Sequence, residues 1–251
     1  MTTTTATRLA ALTVVAATTL VQCAPAPAPA PQTSGPATST SPVGPTSPRS
    51  PETFSTVTRP PASPQPQPPT VHPVSAADLA ATWRPGCPLP PDALRRVDLD
   101  YWGFDGRVHR GQLVVHQDLT ADVIAVFDQL LRLRFPIERM RTADHYPGAD
   151  DELSMRDNNT SAFNCRDIPG TGQWSLHAYG RAVDVNPRLN PYVDRRGDYQ
   201  PANAGAFVDR ARTDPGMLHD GDPAVEAFTD RGWRWGGHWR TPLDYQHFEL
   251  R

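Results

Sequence analysis

Hydrophobic positions fall into a few short runs of different period. Leu9 to Val21 is a mainly apolar, uncharged run, and Arg8 is the one charged side chain in the first 23 residues. A strand is predicted in Arg107–His116, around Leu113, Val114 and Val115. Thr120 follows as the cap of a predicted helix in which Val123, Val126, Phe127, Leu130 and Leu131 recur at three- and four-residue spacing; Pro136 ends it. Ile137 to Met140 alternates as a strand does. A second helix is bounded by Asp222 as cap, Pro223 at its first position and Gly232 as its stop, with Val225, Ala227 and Phe228 inside. Short apolar runs at Arg181–Val185 and His247–Leu250 read as strands. Asn186 to Asp220, rich in Pro, Gly, Asn and Asp, reads mostly as loop. Strands and helices do not alternate regularly, so the expected class is α+β, a small antiparallel sheet with flanking helices.

Composition changes this picture at the N-terminal end. Of 29 prolines in 251 residues, 16 lie between Pro25 and Pro73. A segment of Pro, Ala, Ser and Thr with almost no charge cannot build a core. Residues 24–74 are therefore expected to be a disordered linker, extended where polyproline helix forms, and residues 75–251 a single domain. Lysine is absent, and from Ser75 onward 21 arginines face 26 acidic residues with no basic stripe. No nucleic-acid partner is expected.

Residues 1–23 read as an export signal, since an apolar run of 13 residues suits a signal peptide and is short for a membrane span. Leu20-Val21-Gln22-Cys23 resembles a bacterial lipobox, although Gln22 is larger than the residue usual there. Two locations stay open: lipid-anchored through Cys23 on the outer face of the cytoplasmic membrane, or secreted. In an oxidising compartment Cys87 and Cys165 are expected to form a disulfide, the alternative being two buried thiols.

Chemistry concentrates in Ser175-Leu176-His177-Ala178-Tyr179-Gly180-Arg181-Ala182-Val183-Asp184 and in Asp244-Tyr245-Gln246-His247-Phe248. A chain that turns at Gly180 can aim His177 and Asp184 at one point. With His247 they make two imidazoles and a carboxylate, a sensible zinc set that leaves a position for water. Asp244 is the unassigned carboxylate nearest in sequence, the candidate base.

Ser-x-His-x-x-Gly-x-Ala-x-Asp, then Trp233-Arg234-Trp235-Gly236-Gly237-His238-Trp239, then Asp-x-x-His-Phe, together resemble the D-alanyl-D-alanine carboxypeptidase family of zinc peptidases, M15. This family includes VanY- and VanX-type enzymes and phage L-alanyl-D-glutamate endolysins. The resemblance spans roughly Asp151 to the end of the sequence. It implies the zinc fold of these peptidases and of hedgehog-type signalling domains, with one Zn2+ held by His177, Asp184 and His247. It further implies Asp244 as general base, Ser175 at the substrate carboxylate, and an upstream arginine at the oxyanion. Arg166 is the first candidate for that arginine and Arg156 the reserve. The implied activity is D,D-carboxypeptidase cleavage of peptidoglycan stem peptides by a monomer at the cell envelope. The alternatives are L-Ala-D-Glu endopeptidase action, a zinc-binding envelope module without hydrolysis, and a structural lipoprotein whose metal only stabilises the fold. His109, His116, His145, His219 and His238 are assigned no metal. Trp233 is read as packing, and Asp150-Asp151-Glu152 as a solvated charge run.

Overall fold

The computed structural model describes residues 66–251. The expected signal peptide, Cys23 and most of the proline-rich segment lie outside the described residues. The chain enters through β1 (Thr70–Pro73) and α1 (Ala76–Leu79), then forms the long hairpin of β2 (Leu94–Trp102) and β3 (Val108–His116). These three strands make one antiparallel sheet in the order β1-β2-β3. The expected boundary at Ser75 is thus too late, because Thr70 to Pro73 pair with Asp98 to Arg95. Pro73 is tolerated there because β1 is an edge strand.

Both faces of the sheet are covered. Val97, Leu99, Leu113 and Val115 pack into the main core, whereas Leu94 and Val114 face a smaller cluster with Leu79, Phe163 and Cys165. Cys165 is bonded to Cys87 in a disulfide beside that cluster.

The helix α2 (Thr120–Arg132) buries Val123, Val126, Phe127 and Leu130, and leaves Leu131 partly exposed. Thr120 is not its cap. It stands inside the first turn, with its hydroxyl donating to the Gln117 carbonyl at 3.0 Å, and Leu119 occupies the cap position. The helix stops at Arg132, and Arg134 turns left-handed at φ 52° two residues ahead of Pro136.

Past that stop, β4 (Arg139–Met140), α3 (Asp151–Arg156) and β5 (Asn159–Thr160) follow; β4 and β5 form a short parallel pair. The strands β6 (Ala182–Asp184), β7 (Tyr192–Val193) and β8 (Tyr199–Gln200) lead to α4 (Pro223–Thr229), β9 (Arg234–Trp235), β10 (Leu243–Asp244) and β11 (His247–Glu249). They assemble as two further antiparallel sheets, β6-β11-β9 and β10-β7-β8. The architecture is mixed α and β with small antiparallel sheets, as expected from the irregular alternation. Phe228 of α4 joins the parts of the core: it stacks on Phe248 at 3.9 Å and meets Phe127 and Trp233 edge-on.

Apart from the short strands β7 and β8, the segment from Asn186 to Asp220 is held by buried amides. The Asn190 side chain accepts from Leu218 N at 2.8 Å and donates to Val185 O at 3.1 Å, and Asn186 donates to Pro136 O at 2.8 Å. Each bond satisfies a backbone group that the loop could not pair by itself.

Candidate metal and hydrolytic site

Strands β6 and β11 pair so that His247 lies directly opposite Asp184. Directly opposed residues project from the same face, which places the second imidazole against the carboxylate. His177 comes from a short 3₁₀ turn, Leu176–Tyr179, immediately before β6. Ser175 caps that turn by accepting from His177 N at 3.3 Å. Gly180 closes it at φ +61°, where an added Cβ would fall 2.5 Å from His116 N. The glycine of the first motif is therefore required twice, by its left-handed φ and by the approach of β3.

The three side chains converge. His177 Nε2 is 3.1 Å from Asp184 Oδ2 and 3.2 Å from His247 Nδ1, and His247 Nδ1 is 3.0 Å from Asp184 Oδ1. His177 Nδ1 donates to the Ala162 carbonyl at 2.6 Å. A carbonyl only accepts, so this bond keeps the proton on Nδ1 and turns the Nε2 lone pair inward. Burial would lower the His247 pKa, but Asp184 and Glu249 outweigh it and hold it up at about 10. Burial would likewise raise the Asp184 carboxyl, and the two histidines instead hold it well below the carboxylate range. The cluster thus keeps a proton among three buried donors whose ligand atoms all lie within 4.8 Å of one another. Two imidazoles and one carboxylate, each buried and one oriented by a backbone carbonyl, fit a zinc ion.

Glu249 went unnoticed in the sequence. It lies two residues beyond His247, on the same face of β11, with Oε2 3.5 Å from His247 Nε2. Arg234 of β9, its cross-strand neighbour, pairs with it at 3.3 Å. The one signal available was the i, i+2 spacing.

Asp244 ends β10. Its Oδ1 is buried and has no hydrogen-bond partner among the described residues. Burial pushes its carboxyl up to about 6, with His247 opposing, Asp184 adding, and His177 and Arg166 also opposing. A carboxylate poised near neutrality and free of partners can take up and release a proton.

Arg166 and Ser175 meet at the base of a hairpin: Ser175 N donates to Arg166 O at 3.1 Å and Ile168 N to Gln173 O at 2.7 Å. This fold-back brings Arg166 towards the site despite its short sequence distance from His177. Its guanidinium pairs with Asp151 at 2.9 Å. Arg156, the reserve, is exposed at the end of α3. Ser175 is buried. Trp239 packs on His247 with ring centroids 5.4 Å apart, while Trp233 and Trp235 belong to the core. His238 is exposed and pairs with Asp220 at 2.7 Å. A cavity of about 390 Å³ lined by Leu133, Phe135, Pro215 and Met217 includes none of the site residues.

Residues 169–250, about a third of the chain, match the family model described as D-alanyl-D-alanine carboxypeptidase. The match takes in Ser175, His177, Asp184, Asp244 and His247 and begins after Arg166. No curated protein and no solved structure matches the chain.

Proposed function

We propose, on the premise that residues 169–250 belong to the D-alanyl-D-alanine carboxypeptidase family of M15 peptidases, that this protein is an exported zinc peptidase with that family's zinc fold. On this reading it removes the terminal D-Ala from peptidoglycan stem peptides. The observation that carries the reading is a buried His177–Asp184–His247 cluster beside Asp244, a carboxylate whose Oδ1 has no partner among the described residues. A module that only bound metal would have no need of that carboxylate.

His177 Nε2, Asp184 and His247 Nδ1 would hold the zinc. Bound there, zinc would supply Lewis-acid polarisation of the peptide carbonyl and a water that ionises near pH ~7. The chain's own residues do the rest. Asp244 takes the proton of the attacking water and returns it to the leaving amine. Arg166 presents N–H groups to the developing oxyanion, a contact of a kind worth about 3 kcal/mol of barrier. Ser175 already accepts from His177 N, so its hydroxyl proton stays available for the substrate's terminal carboxylate. Glu249 and Ala162 orient the two imidazoles.

The test is to incubate the zinc-loaded full chain with L-Ala-D-Glu-X-D-Ala-D-Ala and weigh the products. Loss of one C-terminal alanine supports the carboxypeptidase reading. Release of N-terminal L-Ala would replace it with endopeptidase action on the same machinery. No product from this peptide or from a cross-linked stem peptide would overturn hydrolysis altogether.

A further inference from the structure

We propose that Asp151 is a positioning residue that aims Arg166 into the site; the inference rests on the hydrolytic reading above. Asp150, Asp151 and Glu152 look in sequence like one solvated acidic run, and the structure separates them. Asp150 caps α3 by accepting from Leu153 N at 2.9 Å. Glu152 accepts from Ala202 N at 2.8 Å. Asp151 is turned to the guanidinium of Arg166, with Oδ2 2.9 Å from one terminal nitrogen.

The rest of Arg166 is set as though to serve one direction. Its main chain is fixed: Arg166 N donates to Asn164 O at 2.9 Å, Ser175 N donates to Arg166 O, and the preceding residue is bonded to Cys87. A rigid backbone does not immobilise an arginine, whose long side chain keeps its rotamer freedom. Asp151 grips the far end. Between the two anchors, Nε is buried and lacks any partner among the described residues. A buried guanidinium nitrogen without a partner is rare in native structures and calls for an acceptor. The Arg166 carbonyl accepts from Ser175 N, two residues before His177, and the guanidinium charge is felt at Asp244, which sets the arginine beside the site. Both members of the pair are 28–29% exposed in their side chains. An ion pair that open contributes little to folding, so its main effect is on orientation.

The experiment combines kinetics with a signal that does not depend on turnover. In the full chain, Asp151→Asn should lower kcat for D-Ala release about 10- to 100-fold, the scale of a misplaced transition-state donor. KM should stay within about twofold and the melting temperature within a few degrees. Asp151→Glu should restore part of the rate. In an Arg166→Lys background, Asp151→Asn should add little further loss. The Arg166 Nε–H resonance should be sharp and slow to exchange in the wild type, and broadened in Asp151→Asn. An equal loss of kcat in both backgrounds would overturn the proposal, as would an Nε–H signal indifferent to Asp151→Asn. If the wild type hydrolyses nothing, the hydrolytic reading fails, and the resonance still decides whether Asp151 holds Arg166.

Discussion

Gly236→Ala separates the proposed proton-handling carboxylate, Asp244, from the proposed metal ligands more cleanly than any change to the ligands themselves. Gly236 begins the turn that lies against the end of β10. A methyl group there would fall on the Asp244 carbonyl oxygen and 2.9 Å from Asp244 Cβ. Ordinary contacts begin near 3.4 Å. Because backbone atoms cannot swing aside, β10 must retreat by roughly half an ångström to one ångström. The strand pairs with Tyr192 and Val193 of β7, and its end is fastened by the Trp235 indole donating to Tyr245 O at 2.8 Å. The retreat is therefore carried by Asp244. A misplacement approaching 1 Å can cost about 100-fold, so kcat should fall by 10- to 100-fold. The overpacking should cost about 1–3 kcal/mol of stability. None of the atoms crowded by the methyl belongs to His177, Asp184 or His247, so zinc affinity, read by competition with a chromophoric chelator, should hold within a few-fold. Unchanged kcat would refute the reasoning, and so would zinc affinity falling in step with kcat.

Three further outcomes are expected. Removing the Cys87–Cys165 bond, which closes a 78-residue separation, should lower unfolding free energy by up to about 4 kcal/mol in denaturant titrations; an unchanged midpoint would contradict a folded-state role. Zinc binding at pH 7 to 8 should release about one proton per chain, because His247 carries one up to a pKa of about 10 and must lose it to ligate. Calorimetry in two buffers of different ionisation enthalpy reads this, and zero release would contradict it. The sign for stability follows: the raised His247 pKa stabilises the metal-free protein fully below the ordinary histidine range, and that contribution is lost as pH rises through about 10. A chain beginning at Ser75 should melt lower and aggregate more than one beginning at Pro66, since it leaves the edge of β2 unpaired.

Much of the site was legible because its residues sit where local pattern is strong. His177, Asp184, Asp244 and His247 occupy the first and last of three ordered motifs, and β6 and β11 were visible as short apolar runs around them. The frame was harder to read. Arg95 and Arg96 interrupt the alternation of Leu94, Val97, Leu99 and Tyr101, so β2 shows no clean period even though it pairs along its whole length with β3. Thr70 to Pro73 looks like linker because its neighbours are prolines, and only pairing with β2 makes it a strand. Thr120 has the residue type of a cap, yet the preceding 3₁₀ turn, Gln117–Leu119, shifts the helix start. Asp151 was hidden because its partner, Arg166, is 15 residues away and no spacing rule encodes that contact, and Glu249 offered only its i, i+2 spacing from His247.

In the proposed division of labour, one cluster binds the metal while a separate carboxylate moves the proton. Asp244→Asn in the full chain tests it most directly, with bound zinc and released D-Ala measured on the same sample. The expected result is one zinc per chain, as in the wild type, and loss of D-Ala release. Release at the wild-type rate, or loss of zinc together with activity, would contradict it.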